Sequence, residues 1–106
     1  MQLHSGFNGY VFTLEELQAM VGPGWSGVIE RLVQDLEALG WDGTVYQVKE
    51  KFGGLRFYIG GATDAIFKRI SEAEEESYRV CENCGKPGEP TTSGWIQTLC
   101  EECRSK

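Results

Sequence analysis

Apolar positions along the chain recur at helical spacing in three stretches, with one stretch of strand spacing between the second and third. Thr13-Leu-Glu-Glu16 has the form of a capping box: a threonine N-cap is followed three residues later by a glutamate able to reach the cap's own N–H. This predicts a short helix over about residues 14–21, stopped by Gly22-Pro23-Gly24. Ser26 is placed to cap a second helix over about 27–39. In it Val28, Ile29, Leu32, Val33, Leu36 and Leu39 share one face, and Gly40 is the terminator. Glu30, Arg31, Gln34, Asp35 and Glu37 take the other side, which reads as solvated. A third helix over about 64–78, capped by Thr63 or Asp64, turns Ile66, Phe67, Ile70, Ala73 and Ser77 inward. Glu72, Glu74, Glu75 and Glu76 form its acidic outer face, read as a solubilising one.

From Thr44 the period becomes two, predicting a β-hairpin over about 44–59. Gly53-Gly54 suits a two-residue primed turn, whose central positions both need positive φ. That turn would set Phe52 opposite Leu55, Glu50 opposite Phe57 and Val48 opposite Ile59. On the other face Lys51 would meet Arg56, Lys49 would meet Tyr58, and Gln47 would meet Gly60. One face is then apolar except for Glu50, which needs a partner such as Arg31 or Arg79. The other face groups Lys49, Lys51, Arg56 and Tyr58, a candidate contact for an acidic partner. The bland alternative is a solvated face neutralised by Glu72 to Glu76. A hairpin alone is marginal, so strands of the C-terminal module or of a partner subunit are expected to join it.

All four cysteines lie in CENCGKPGEPTTSGWIQTLCEEC, residues 81–103. Two C-x2-C pairs separated by fifteen residues have the spacing of a four-thiolate site, with Cys81, Cys84, Cys100 and Cys103 as ligands. Disulfides within each pair would close only tiny loops, and a cytosolic chain favours metal over them. One structural zinc ion is the expected occupant; an iron–sulfur cluster or a redox dithiol are the alternatives. The intervening stretch predicts a β-turn at Ser93-Gly94, a strand over Trp95–Leu99 and Trp95 as the small module's core.

Length and charge narrow the function. At 106 residues the chain is one small α+β domain, read as residues 1–78, with a zinc-ribbon module over 79–106 packed against it. So short a chain has a marginal core, and a metal staple would matter. No apolar run approaches the roughly 20 residues that span a bilayer, and MQLHSGFNGYVF has no signal-peptide pattern. The expected location is therefore cytoplasmic, with no membrane partner. Net charge is −6, and four thiolates with a dication would take it to about −8. Arg79, Lys86, Arg104 and Lys106 in the cysteine module are offset by Glu82, Glu89, Glu101 and Glu102. General affinity for phosphate backbones needs clustered positive charge, which this chain lacks. His4, the only histidine, sits in a segment read as loose. With no assembled nucleophile, base or phosphate loop, and no open metal position, the chain is not expected to be an enzyme.

VKEKFGGLRFYIGG, a following helix with AEEES, then CENCGKPG and GWIQTLCEEC, resemble a group of small uncharacterised proteins of bacteria and their phages. That group shares a K-E-K-F-G-x-L-R-F-Y segment and a C-terminal cysteine module, and the resemblance covers about residues 45–103. It implies no activity; it implies the company of phage and mobile-element genes, whose products often inhibit or adapt a host protein. The expected function is thus a zinc-stabilised protein-binding module, an inhibitor of a host or defence protein. The alternative is a small nucleic-acid-binding regulator using the basic hairpin face or the ribbon.

Overall fold

The computed structural model describes residues 1–92 and 94–105 of the chain. Its elements, in order, are β1 (Leu3–Ser5), β2 (Val11–Phe12), α1 (Leu14–Gln18), a 3-10 turn (Pro23–Trp25) and α2 (Ser26–Ala38). Then come β3 (Thr44–Lys51), β4 (Gly54–Ile59), α3 (Asp64–Ser77), β5 (Glu89–Pro90), β6 (Thr98–Leu99) and α4 (Glu101–Arg104). The architecture is α+β: a four-stranded sheet in the order β2-β1-β3-β4 and a separate β5-β6 pair in the cysteine region.

The N-terminal segment is not loose. β1 pairs antiparallel with β2 and parallel with β3, placing His4 beside Thr44, and Leu3 is buried in the core. These strands, rather than ribbon strands or a second subunit, extend the hairpin. The parallel β1–β3 pair requires a crossover, and α1 with α2 supplies it.

The capping box at α1 forms in full: Thr13 Oγ accepts from Glu16 N–H, and Glu16 accepts from Thr13 N–H at 2.9 Å. The helix ends at Gln18, earlier than its pattern suggests, because the chain then turns to bring Gly22–Trp25 against the first cysteine loop. Ser26 is the first residue of α2 rather than its cap, since the 3-10 turn runs directly into the helix; Trp25 occupies the N-cap. At the far end Trp41 N–H bonds Leu36 C=O and Gly40 N–H bonds Glu37 C=O, the paired bonds of a Schellman ending.

The core gathers Leu17, Trp25, Ile29, Leu32 and Leu36 from the helical N-terminal half, Val45, Val48, Leu55 and Phe57 from the sheet, and Ile66, Ile70 and Ala73 from α3. Phe67, expected inside, is 43% exposed. Arg31–Glu76 and Arg69–Asp35 ion pairs, at 2.6 and 2.8 Å, run along the α2–α3 seam. α3 also guards the free edge of β4. Leu55 N–H donates to Ser77 Oγ at 2.8 Å and Phe57 N–H to Glu74 Oε2 at 3.0 Å, so edge donors that would invite another strand are occupied.

The hairpin register differs from the Gly-Gly expectation. The turn residues are Phe52 and Gly53, both at positive φ, and the pairs are Lys51–Gly54, Glu50–Leu55, Lys49–Arg56, Val48–Phe57 and Gln47–Tyr58. A bulge at Tyr46 then sets Val45 opposite Ile59. The slip is by two residues on the partner strand, so the faces keep their members. Gly54 is needed elsewhere: a Cβ there would stand 2.3 Å from the Tyr78 ring. The glycine lies flat under that tyrosine and cannot also serve the turn.

Candidate metal centre

Two loops and one helix end bring the cysteines together. Cys81 N–H bonds Lys86 C=O and Gly85 N–H bonds Cys81 C=O, closing the first knuckle. Cys100 is the N-cap of α4, its sulfur accepting from Cys103 N–H at 3.4 Å. The four Sγ atoms lie within 4.8 Å of one another, and Cys84 and Cys100 are 3.5 Å apart. All four are free cysteines. Metal–sulfur bonds of about 2.3 Å in a tetrahedron set sulfurs roughly 3.8 Å apart, so this cluster could hold one metal ion.

The acidities of the set point the same way. Burial pushes the Cys81 thiol up, but the surrounding N–H groups of Cys100, Cys84 and Asn83 outweigh it and bring it down to about 6. Hydrogen bonding to the Cys100 and Cys81 sulfurs, together with burial, holds the Cys103 proton, pushing it up to about 12. Four sulfurs so close cannot all ionise unaided, and a dication removes that conflict. Lys86 pairs with Glu102 at 2.8 Å, and the same ammonium feels the Cys84 and Cys100 sulfurs.

The cysteine region is gripped from two sides. Gly24 N–H donates to Glu82 C=O at 2.8 Å, and the Trp25 indole N–H to Val80 C=O at 2.9 Å. The approach is so close that a Cβ on Gly24 would sit 1.9 Å from Cys81 O. On the other side the buried Thr98 hydroxyl donates to Gly53 C=O in the hairpin turn at 2.6 Å. Glu82 completes the seam, pairing by backbone with Thr98 and accepting Thr98 N–H on its side chain. Burial pushes the Glu82 carboxyl up, the Thr98 N–H opposes this, and the nearby Glu50 charge adds to it. None of these contacts was legible in the sequence, although Gly22-Pro23-Gly24 carried a signal: closely spaced glycines mark a backbone approach as well as a helix stop.

Lys49, Lys51, Arg56 and Tyr58 share one face of the hairpin, with altered neighbours. Lys49 rather than Lys51 lies opposite Arg56. Arg56 donates to the Tyr78 hydroxyl at 2.9 Å, and Lys49 Nζ stands 5.9 Å from the Tyr58 ring centre. Glu74 and Glu76 are spent on Phe57 N–H and Arg31, so α3 forms no ion pair with this face among the described residues. Glu50 takes neither Arg31 nor Arg79; its carboxylate accepts Gly53 N–H at 2.8 Å, capping its own turn. The bulged Tyr46 lies over Gly6 and Gly60, with Phe7 edge-on at 5.1 Å, extending the face with two more aromatic rings.

Two expectations for the ribbon fail. Trp95 is 76% exposed, not a core residue, and the strand reduces to Thr98–Leu99. Cys81, Leu99 and Cys100 make the small core, with Cys103 packed against it, so sulfur and leucine side chains take the place expected for the indole. Ser93, the first residue of the turn expected at Ser93-Gly94, lies outside the described residues. Comparison with protein-family models, curated proteins and solved structures finds no match to this chain.

Proposed function

We propose that the chain is a non-enzymatic, zinc-stapled binding protein that engages a partner protein through the exposed face of its hairpin. Zinc is the metal best suited to four thiolates in a closed tetrahedron, where no position is left for a substrate. The centre joins the Gly22–Trp25 loop to the hairpin turn, which supports a structural role. The observation that carries the binding reading is the sheet face itself. It gathers Lys49, Lys51 and Arg56 beside exposed Tyr46 and Tyr58, and none of the three cations has a carboxylate at ion-pair distance among the described residues. Such a face suits an acidic surface on a partner. The resemblance to phage and mobile-element products favours a host or defence protein in the cytoplasm, inhibited by the chain.

Cations interleaved with aromatic rings also favour a second reading, binding of single-stranded nucleic acid, where rings stack on bases. Affinity capture from the native host, with the wild type beside a Lys49→Glu/Arg56→Glu variant, tests the first reading. The expected result is a partner protein retained only by the wild type. Tight oligonucleotide binding at low salt, lost in the variant, would instead establish the second.

A further inference from the structure

Among the described residues Phe52 is the sole non-glycine with positive φ, at 53°. It occupies the first central position of a primed turn, where asparagine, aspartate or glycine is the ordinary occupant and a bulky ring is strained. Burial does not compensate: the ring is 65% exposed, and Lys51 Nζ stands 5.6 Å from its centre. Across from it the cysteine region presents Trp95, 76% exposed, and Ile96, 39% exposed. These residues, with Glu50, Lys51 and Gly94, line a cleft of about 340 Å³. A strained backbone that holds a ring in solvent, facing an indole also in solvent, has no account in folding. Outliers of this kind gather at binding sites, and exposed tryptophan and phenylalanine around a pocket are typical anchors of recognition.

The rim selects the occupant. Glu50 has its carboxylate engaged with Gly53 N–H, whereas the Lys51 ammonium has no carboxylate at ion-pair distance among the described residues. Lys49 and Arg56 continue the positive charge along the same face. A nucleic acid strand would meet only these three cations on a chain of net charge −6, too few to hold a phosphate backbone well. We infer that the Phe52–Trp95–Ile96 cleft receives a large apolar side chain on a peptide segment of the partner, with a neighbouring carboxylate set on Lys51. This rests on the reading of the hairpin face as a protein-binding surface, and it names the anchor.

The test is to pan a random-peptide library displayed on phage against the full, zinc-loaded chain. The expected peptides carry a large apolar residue next to Asp or Glu. Phe52→Asn should weaken them about tenfold or more while leaving the thermal midpoint no lower, because asparagine suits the turn. Trp95→Ser should weaken them similarly, and Lys51→Gln should erase the preference for acidic neighbours. Peptides indifferent to both ring substitutions overturn the inference. If such peptides still depend on Lys49 and Arg56, the hairpin face stands as a binding surface and only the cleft falls. If no peptide is enriched, the cleft falls as a peptide site. If in addition oligothymidine binds and needs Trp95, the protein-binding reading falls with it.

Discussion

Ser77 shows how much one small side chain settles here. Its hydroxyl accepts Leu55 N–H and donates to Glu74 C=O, all within a buried corner between α3 and β4. Ser77→Ala strands the Leu55 donor, and a loss of about 1–3 kcal/mol is expected from the denaturation midpoint. Phe52 should behave in the opposite sense. Phe52→Asn relieves a strained backbone and surrenders little packing, so stability should be unchanged or rise by up to about 1 kcal/mol in the same measurement. Local preference alone assigns the turn to Gly53-Gly54, because glycine tolerates positive φ at both positions. What it could not include was Tyr78, whose ring rests on Gly54 from 24 residues away in the chain. Conformational preference is local and therefore readable; a steric demand from a distant residue is not.

At the scale of elements, legibility follows length and period. α2 and α3, of 13 and 14 residues, repeat their apolar positions often enough to be read directly. β1 and β2 have three and two residues, too few to show a period of two; β1 exists because β3 offers it an edge, and β2 because β1 does. The four cysteines were legible because C-x2-C fixes local geometry, but the loop that grips them was not. Gly24→Ala tests that grip. Its Cβ would meet backbone atoms of Cys81, Glu82 and Gly85, which cannot swing aside, and a loss of about 2–4 kcal/mol is expected by thermal or chemical unfolding. The entry to α1 should respond to acid. Hydrogen bonds from the Tyr10 hydroxyl and Thr13 N–H hold the Glu16 carboxyl below its ordinary value of 4.5. A depressed folded-state value means that the contribution is present above pH 4.5 and lost as pH falls through the folded value. The protection of the α1 amides, taken relative to the intrinsic exchange rate at each pH, should drop over that fall, and Glu16→Gln should flatten the response.

For the whole molecule, the metal and the fold should stand or fall together. Native mass spectrometry is expected to find one zinc ion per chain, and a chelator should lower the thermal midpoint sharply, since such centres contribute on the order of 10 kcal/mol to small modules. Trp25, fully buried and bonded through its indole to Val80 C=O, should shift its fluorescence to the red as the cysteine region lets go. An unchanged spectrum and midpoint would show that the body holds without the centre. The cleft between Phe52 and Trp95 has one wall on each side of the seam, so peptide binding there should vanish with the metal. The bond from Trp25 to Val80 joins residues 55 apart, and it would couple the interior of the larger half to the occupancy of a site outside it. In a cell short of the metal, that coupling would become a matter of lifetime. Chains without metal would open more often, meet proteases while open, and be cleared first. The amount of active protein would then follow the supply of the ion, with no dedicated regulator required.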